Sequence, residues 1–207
     1  MKKFELTSET KINIFGKKLF RIKALVSFGV VKTGETGGWV EKEENVNQSG
    51  DAWVFGNAEV FGNAEVSGDA EVFGNARVFG NARVFGNARV SGNAEVFGNA
   101  RVSGNARVSG DAWVFGNARV FGNAEVSGNA RVSGNADYTT IHGFGTQFRT
   151  TTFFRCKDKQ VKVSCGCFYG TIPEFREQVK NTRDGKIAEE YLMIADLMEK
   201  HFAEEAK

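Results

Sequence analysis

Residues 51 to 134 are one six-residue phrase, [Asn/Asp]-Ala-x-Val-[Phe/Ser]-Gly, written fourteen times without insertion or deletion. The run opens with Asp51-Ala52-Trp53-Val54-Phe55-Gly56 and closes with Asn129-Ala130-Arg131-Val132-Ser133-Gly134. So strict a period restricts the stretch to a solenoid, because a unit this small buries its apolar side chains only against its neighbours. Within the phrase, Ala, x, Val and Phe/Ser form a short strand whose side chains alternate between two sides. Ala and Val are apolar in every copy and face inward; x, which is Glu, Arg or Trp, faces outward together with Phe/Ser. Gly-Asn and Gly-Asp make the corners, since both residues tolerate positive φ. Three phrases close a triangular coil of about eighteen residues, and successive coils stack as parallel strands about 4.8 Å apart. Fourteen valines in register exclude a disordered Gly/Asn-rich tract.

Small Ala near each corner and Val on each flat resemble the left-handed parallel β-helix. The expected fold is therefore an all-β solenoid of hexapeptide repeats closed by two caps. Its left hand follows from the resemblance, not from the period, since parallel crossovers are ordinarily right-handed. The organisation expected is an N-terminal hairpin cap with an irregular first coil over 1–50, the repeats over 51–137, and a small C-terminal α+β cap over 138–207.

In the first segment, Lys11–Phe15 and Leu19–Lys23 alternate around Gly16-Lys17-Lys18 and predict a hairpin. A solenoid needs such a cover, because its first coil otherwise exposes core and strand edge. Val30 to Glu44 predicts an irregular first coil; its Gly34–Gly38 turn lacks the following helix a phosphate cradle needs. Asn45-Val46-Asn47-Gln48-Ser49-Gly50 is a degenerate phrase with Gln48 in the place of Val. After Gly134 the repeat decays. Thr139 to Thr152 predicts a last irregular coil. Thr152–Cys156 and Val161–Cys165 then predict a hairpin, followed by a helix near Pro173 capped by Thr171 and a second helix over 186–203.

The register never slips, so every third phrase returns to the same face. Face one carries Trp53, Glu71, Arg89, Arg107 and Glu125 beside Phe55, Phe73, Ser91, Ser109 and Ser127. Face two carries Glu59, Arg77, Glu95, Trp113 and Arg131 beside Phe61, Phe79, Phe97, Phe115 and Ser133. Face three carries Glu65, Arg83, Arg101 and Arg119 beside Ser67, Phe85, Ser103 and Phe121. Four consecutive Phe on face two, joined by Trp113, make an outward apolar ladder of the kind that marks an interface. The partner expected there is a second copy of the chain, in a homo-oligomer. On face three, Arg83, Arg101 and Arg119 stack with no acid between them, which is unfavourable unless an anion compensates. Guanidinium groups bind phosphate and carboxylate bidentately, and Phe85 and Phe121 lie close enough to stack a base. A small anionic metabolite or nucleotide is the ligand expected there.

Other classes are weaker. A net charge of +2 does not mark a nucleic-acid binder, and nucleic acid is not expected as a partner. No apolar run is long enough to span a membrane and Met1–Glu5 does not open a secretory signal, so a cytoplasmic protein is expected. Three cysteines argue against a disulfide framework. Cys156, Cys165, Cys167 and His142 form the one metal-like group. Its spacing is not Cys-x-x-Cys, and on a strand Cys165 and Cys167 share a face at the core-packing period. No cofactor and no metal are expected. Left-handed β-helix acyltransferases carry a catalytic His on a coil or an extruded loop, whereas the histidines here are His142 and His201, both outside the repeats. That leaves a trimeric acyltransferase using His142 as a minor alternative.

The chain as a whole resembles hexapeptide-repeat proteins common in phages and prophages. The resemblance is carried by Phe4-Glu5-Leu6-Thr7, by Leu19–Leu25, by Gly37-Gly38-Trp39-Val40-Glu41, by the repeats, and by Thr150–Arg155 and Cys165–Thr171. It implies a bacterial host and, from left-handed β-helix proteins generally, a trimer; no activity carries over with it. The function expected is non-catalytic binding by an oligomeric solenoid, as a rigid face for a partner or as a sponge for an anionic ligand in a counter-defence role. A purely structural scaffold or polymer is the alternative.

Overall fold

The computed structural model describes residues 2–203. It is a parallel β-solenoid of nearly five turns with an antiparallel hairpin at one end and a small sheet-and-helix unit at the other. Strands β1 (Phe4–Ile12), β2 (Lys18–Ala24) and β3 (Thr36–Val40) precede fourteen two-residue strands, β4 (Trp53–Val54) to β17 (Arg131–Val132), one per phrase. Beyond them lie β18 (Tyr138–Phe144), β19 (Arg149–Arg155), β20 (Val161–Cys165), β21 (Phe168–Thr171), α1 (Ile172–Thr182) and α2 (Gly185–Phe202).

The three faces form as three parallel sheets. Every pairing joins the same position of the phrase one coil apart, as in Arg77 with Glu95, Arg83 with Arg101 and Arg89 with Arg107. The Ala and Val of every phrase are at most 1% exposed and make one continuous core. Backbone N–H groups donate to the next coil, as from Arg89, Ser91 and Asn93 to the carbonyls of Ala106, Val108 and Gly110 at 2.8–2.9 Å.

The corners divide their labour in a way the sequence reading did not separate. The glycines from Gly56 to Gly128 hold φ between +58° and +73°, while no corner Asn has positive φ among the described residues. The Asn side chains stack instead. Amide donates to amide one coil on from Asn63 to Asn81 to Asn99 to Asn117, and from Asn87 to Asn105 to Asn123, at 3.0–3.3 Å. A column of identical amides satisfies its own donors and acceptors only at the strand spacing, so the Asn selects the stacked register.

The N-terminal cap extends the face-two sheet. β3 pairs in parallel with Glu59–Val60, β2 pairs antiparallel with β3, and β1 with β2. The predicted hairpin is therefore present, with its first strand starting earlier, at Phe4. Gln48, the break in the repeat, anchors it: Gln48 Oε1 accepts from the N–H groups of Lys3 and Phe4, and Gln48 Nε2 donates to the Phe4 carbonyl. Lys3 Nζ donates to the carbonyls of Gly50 and Ala52, and burial pulls its ammonium down to about 8. Trp53, expected to face outward, is fully buried because Phe4 and Phe28 of the cap close over it edge-on at 5.8 and 5.3 Å.

The C-terminal end departs further from expectation. Thr139–Thr152 is not a coil: β18 turns back as an antiparallel partner of β19, in a four-stranded sheet ordered β18-β19-β20-β21. Tyr138, Phe154 and Cys156 from this sheet plug the open core of the last coil. Thr152 Oγ1 and Ser164 Oγ both bond Glu125, tying the sheet to face one. Thr171 caps α1 as expected: its hydroxyl accepts from Glu174 N–H, and Glu174 Oε2 accepts from Thr171 N–H at 2.6 Å. That bond holds the Glu174 carboxyl below its usual range. Both helices pack on the sheet around Phe153, Phe175 and Tyr191. Neither is long and apolar enough to cross a membrane.

Candidate functional site

The two outward columns read as sites differ in how far the fold completes them. On face two, the rings of Phe61, Phe79, Phe97 and Phe115 stack face to face with centroids 4.9–5.2 Å apart and planes within 9° of parallel. The spacing is that of the coils, so the backbone repeat places the rings and they lie along the surface. Trp113 meets Phe97 edge-on at 5.9 Å, and the Arg131 guanidinium lies 4.1 Å over the indole.

The hairpin claims one end of this ladder. Phe15 packs on Phe61 and Phe79 at 5.4 and 5.2 Å, and Leu19 and Trp39 close the rest. Phe61 is thereby 4% exposed and already covered within its own chain. It is not part of a free assembly surface; a hairpin that folds back along its own sheet had no signal in the hexapeptide pattern. The free stripe is Phe79, Phe97, Phe115 and Trp113, the last 37% exposed, lengthened by Phe15 and Ile14 at the hairpin tip. Beside it Lys11 pairs with Glu59 at 2.7 Å and Arg77 with Glu95 at 3.3 Å, while Arg131 lies over Trp113.

Face three is charged and open. Arg83, Arg101 and Arg119 stand opposite one another in register. Glu65 pairs with Arg83 at 3.3 Å; Arg101 and Arg119 form no ion pair among the described residues. Phe85 and Phe121 flank this column, 38% and 59% exposed. Face one, by contrast, neutralises its arginines by pairing Arg89 with Glu71 and Arg107 with Glu125.

The cysteines and His142 do not come together. Cys156 lies buried at the end of the solenoid core, where burial pushes its thiol up to about 11. Cys165 ends β20 and accepts a hydrogen bond from Thr151 Oγ1 at 3.1 Å. Cys165 pairs with Phe168, so Gly166 and Cys167 form the turn between two strands. Cys167 is exposed there and does not share a strand face with Cys165, as the spacing had suggested. His142 is exposed on β18. Among the described residues no three His, Cys, Asp or Glu side chains converge as metal ligands would.

Among several cavities, one of about 150 Å³ lies in the C-terminal unit between the β18–β19 turn, the Cys165–Cys167 turn and α1. Arg149 and Arg183 line it with Tyr191, whose hydroxyl donates to the Phe144 carbonyl at 3.2 Å. Its residues come from four separate segments, so no sequence pattern announces it.

Residues 76–92, 82–98 and 100–115 match the family model described as the YdcK β-solenoid repeat. No curated protein matches the chain. Together with the observed coils, the match defines a repeat β-solenoid protein, a class whose members present long regular surfaces. The match lies on the stretch that carries Phe79, Phe97, Arg83 and Arg101.

Proposed function

We propose that this protein is a non-catalytic binding scaffold that self-associates side by side through face two and takes a small anion on face three. The observation that supports assembly most is the free ladder of Phe79, Phe97 and Phe115 with Trp113. These rings are apolar and partly exposed, and Arg77 and Glu95 beside them pair with each other, while Arg131 lies over the Trp113 indole. A second copy carries a ladder of the same 4.9–5.2 Å period, so two stripes match rung for rung along their length. Arg77 and Glu95 neutralise one another within each copy, so these two charges add no repulsion on apposition.

End-to-end polymerisation is disfavoured, because coil-on-coil stacking needs bare terminal coils and both ends are covered by hydrogen-bonded caps. This weighs against the filament and leaves a discrete homo-oligomer, a trimer by resemblance to other β-helix proteins. In the phage setting suggested by the flanking motifs, such an oligomer would act by sequestering its anionic ligand.

Trp113 reports on the proposal directly. Trp53 is fully buried and Trp39 nearly so, leaving Trp113 as the solvent-facing indole. Acrylamide quenching of tryptophan fluorescence is expected to weaken as protein concentration rises through the association range. Quenching that stays constant while the oligomer forms would place assembly on another surface.

A further inference from the structure

Face two shows what an unbroken aromatic column does in this fold: rings one coil apart stack in parallel at 4.9–5.2 Å. Face three carries the same column with one rung missing. Phe85, Ser103 and Phe121 occupy successive coils of one face, in the register that pairs Val84 with Val102 and Val102 with Val120. The backbones that carry the two phenyl groups therefore lie two strand spacings apart, about 9.6 Å, with a serine at the rung between them. Both rings are substantially exposed. Phe121 meets Tyr138 edge-on at 6.5 Å, and a gap of two rungs is the width that admits one more planar ring with a stacking partner on either side.

Charge sits beside the same gap. Arg101 opens the two-residue strand that Ser103 follows, two residues back on the same outward side, roughly 7 Å along the chain. It lies between Arg83, which Glu65 neutralises, and Arg119, which like Arg101 has no acidic partner among the described residues. Two uncompensated guanidinium groups in register favour an anion that bridges them. No such coincidence occurs on face one, where Ser91, Ser109 and Ser127 follow Phe73 without a second ring beyond them.

We infer that the missing rung at Ser103 is a slot for a planar aromatic ring held between Phe85 and Phe121, with a phosphate or carboxylate of the same molecule on Arg101 and Arg119. A mononucleotide has this chemistry: one flat heterocycle and one anion a sugar's width away. The inference rests on the anion reading of face three and adds the ring to it.

The test uses the full chain with adenosine 5′-monophosphate and inorganic phosphate as probes in titration calorimetry, on the wild type, Ser103→Phe and Ser91→Phe. Phe occupies the Ser103 position in other phrases, so filling the rung leaves the fold intact. The expected result is that adenosine 5′-monophosphate binds about tenfold or more tightly than phosphate. Ser103→Phe loses that advantage and keeps the phosphate affinity, while Ser91→Phe on face one behaves as wild type. Equal binding of the two probes to the wild type overturns the slot and leaves the anion column standing. Undiminished nucleotide binding by Ser103→Phe also overturns the slot. Binding of phosphate alone overturns the slot, and failure of both probes to bind overturns both readings.

Discussion

Replacing Val96 by Asp is expected to lower the melting temperature by more than about 10 °C, followed by circular dichroism. Val96 is fully buried and pairs in register with Val78 on one side and Val114 on the other. Losing its side chain from the core costs about 1.5–3 kcal/mol. The new carboxylate meets only Ala and Val, because the neighbouring backbone N–H groups are committed to the coil ladder. Stripping it of water adds several kcal/mol, bringing the total to about 5 kcal/mol or more. That is comparable to the whole stability of an ordinary domain. Glu95→Asp, one residue away but outward, is expected to change the melt by only a degree or two. Similar melts for Val96→Asp and Glu95→Asp would contradict the inward assignment of the valine column.

The second large effect separates a dihedral cost from a contact between coils. Gly92 and Gly122 have the same φ, +68°. A Cβ on Gly92 would lie 2.9 Å from Gly110 N and 3.0 Å from Gly110 O, whereas a Cβ on Gly122 would meet nothing within 4 Å. Gly122→Ala should therefore cost about 1–2 kcal/mol, the penalty of a left-handed alanine. Gly92→Ala carries the same penalty and must also wedge two backbones apart, adding about 1–3 kcal/mol. Chemical denaturation of the two variants in parallel gives the difference. Equal losses would mean that stacking is looser than the Gly92–Gly110 approach requires.

What was legible in the sequence follows from the same physics. Strict hexapeptides carry both their inward residues and their register, so the three faces and their columns follow from the sequence. The hairpin over Gly16 and the cap of α1 at Thr171 were legible because each rests on local residue chemistry. Long-range covering was not. Burial of Trp53 depends on Phe4 and Phe28, and burial of Phe61 depends on Phe15 folding back along its own sheet. No spacing encodes either. Thr139–Thr152 suits a coil as well as a hairpin strand because its threonines fit any strand, and only the pairing of Tyr138 with Phe154 shows the chain reversing. The Asn ladders have no sequence signal, because a corner Asn has a sufficient local explanation in turn propensity and the amide-to-amide bonds exist only between coils. For face three, the sequence showed the arginines and the two flanking rings. The width of the one-rung gap between those rings follows from the observed register and the ring spacing on face two.

The claim on which the functional reading rests is that face two is an assembly surface. The measurement that bears on it most directly is the mass of the protein in solution by light scattering, for the wild type beside a Phe97→Ser/Phe115→Ser variant. Serine stands at the same position of other phrases, so the variant keeps the core and its coils, which its circular dichroism melt will verify. The account predicts a discrete multiple of 22.7 kDa for the wild type and 22.7 kDa for the variant. A monomeric wild type, or a variant that assembles equally well, would contradict it.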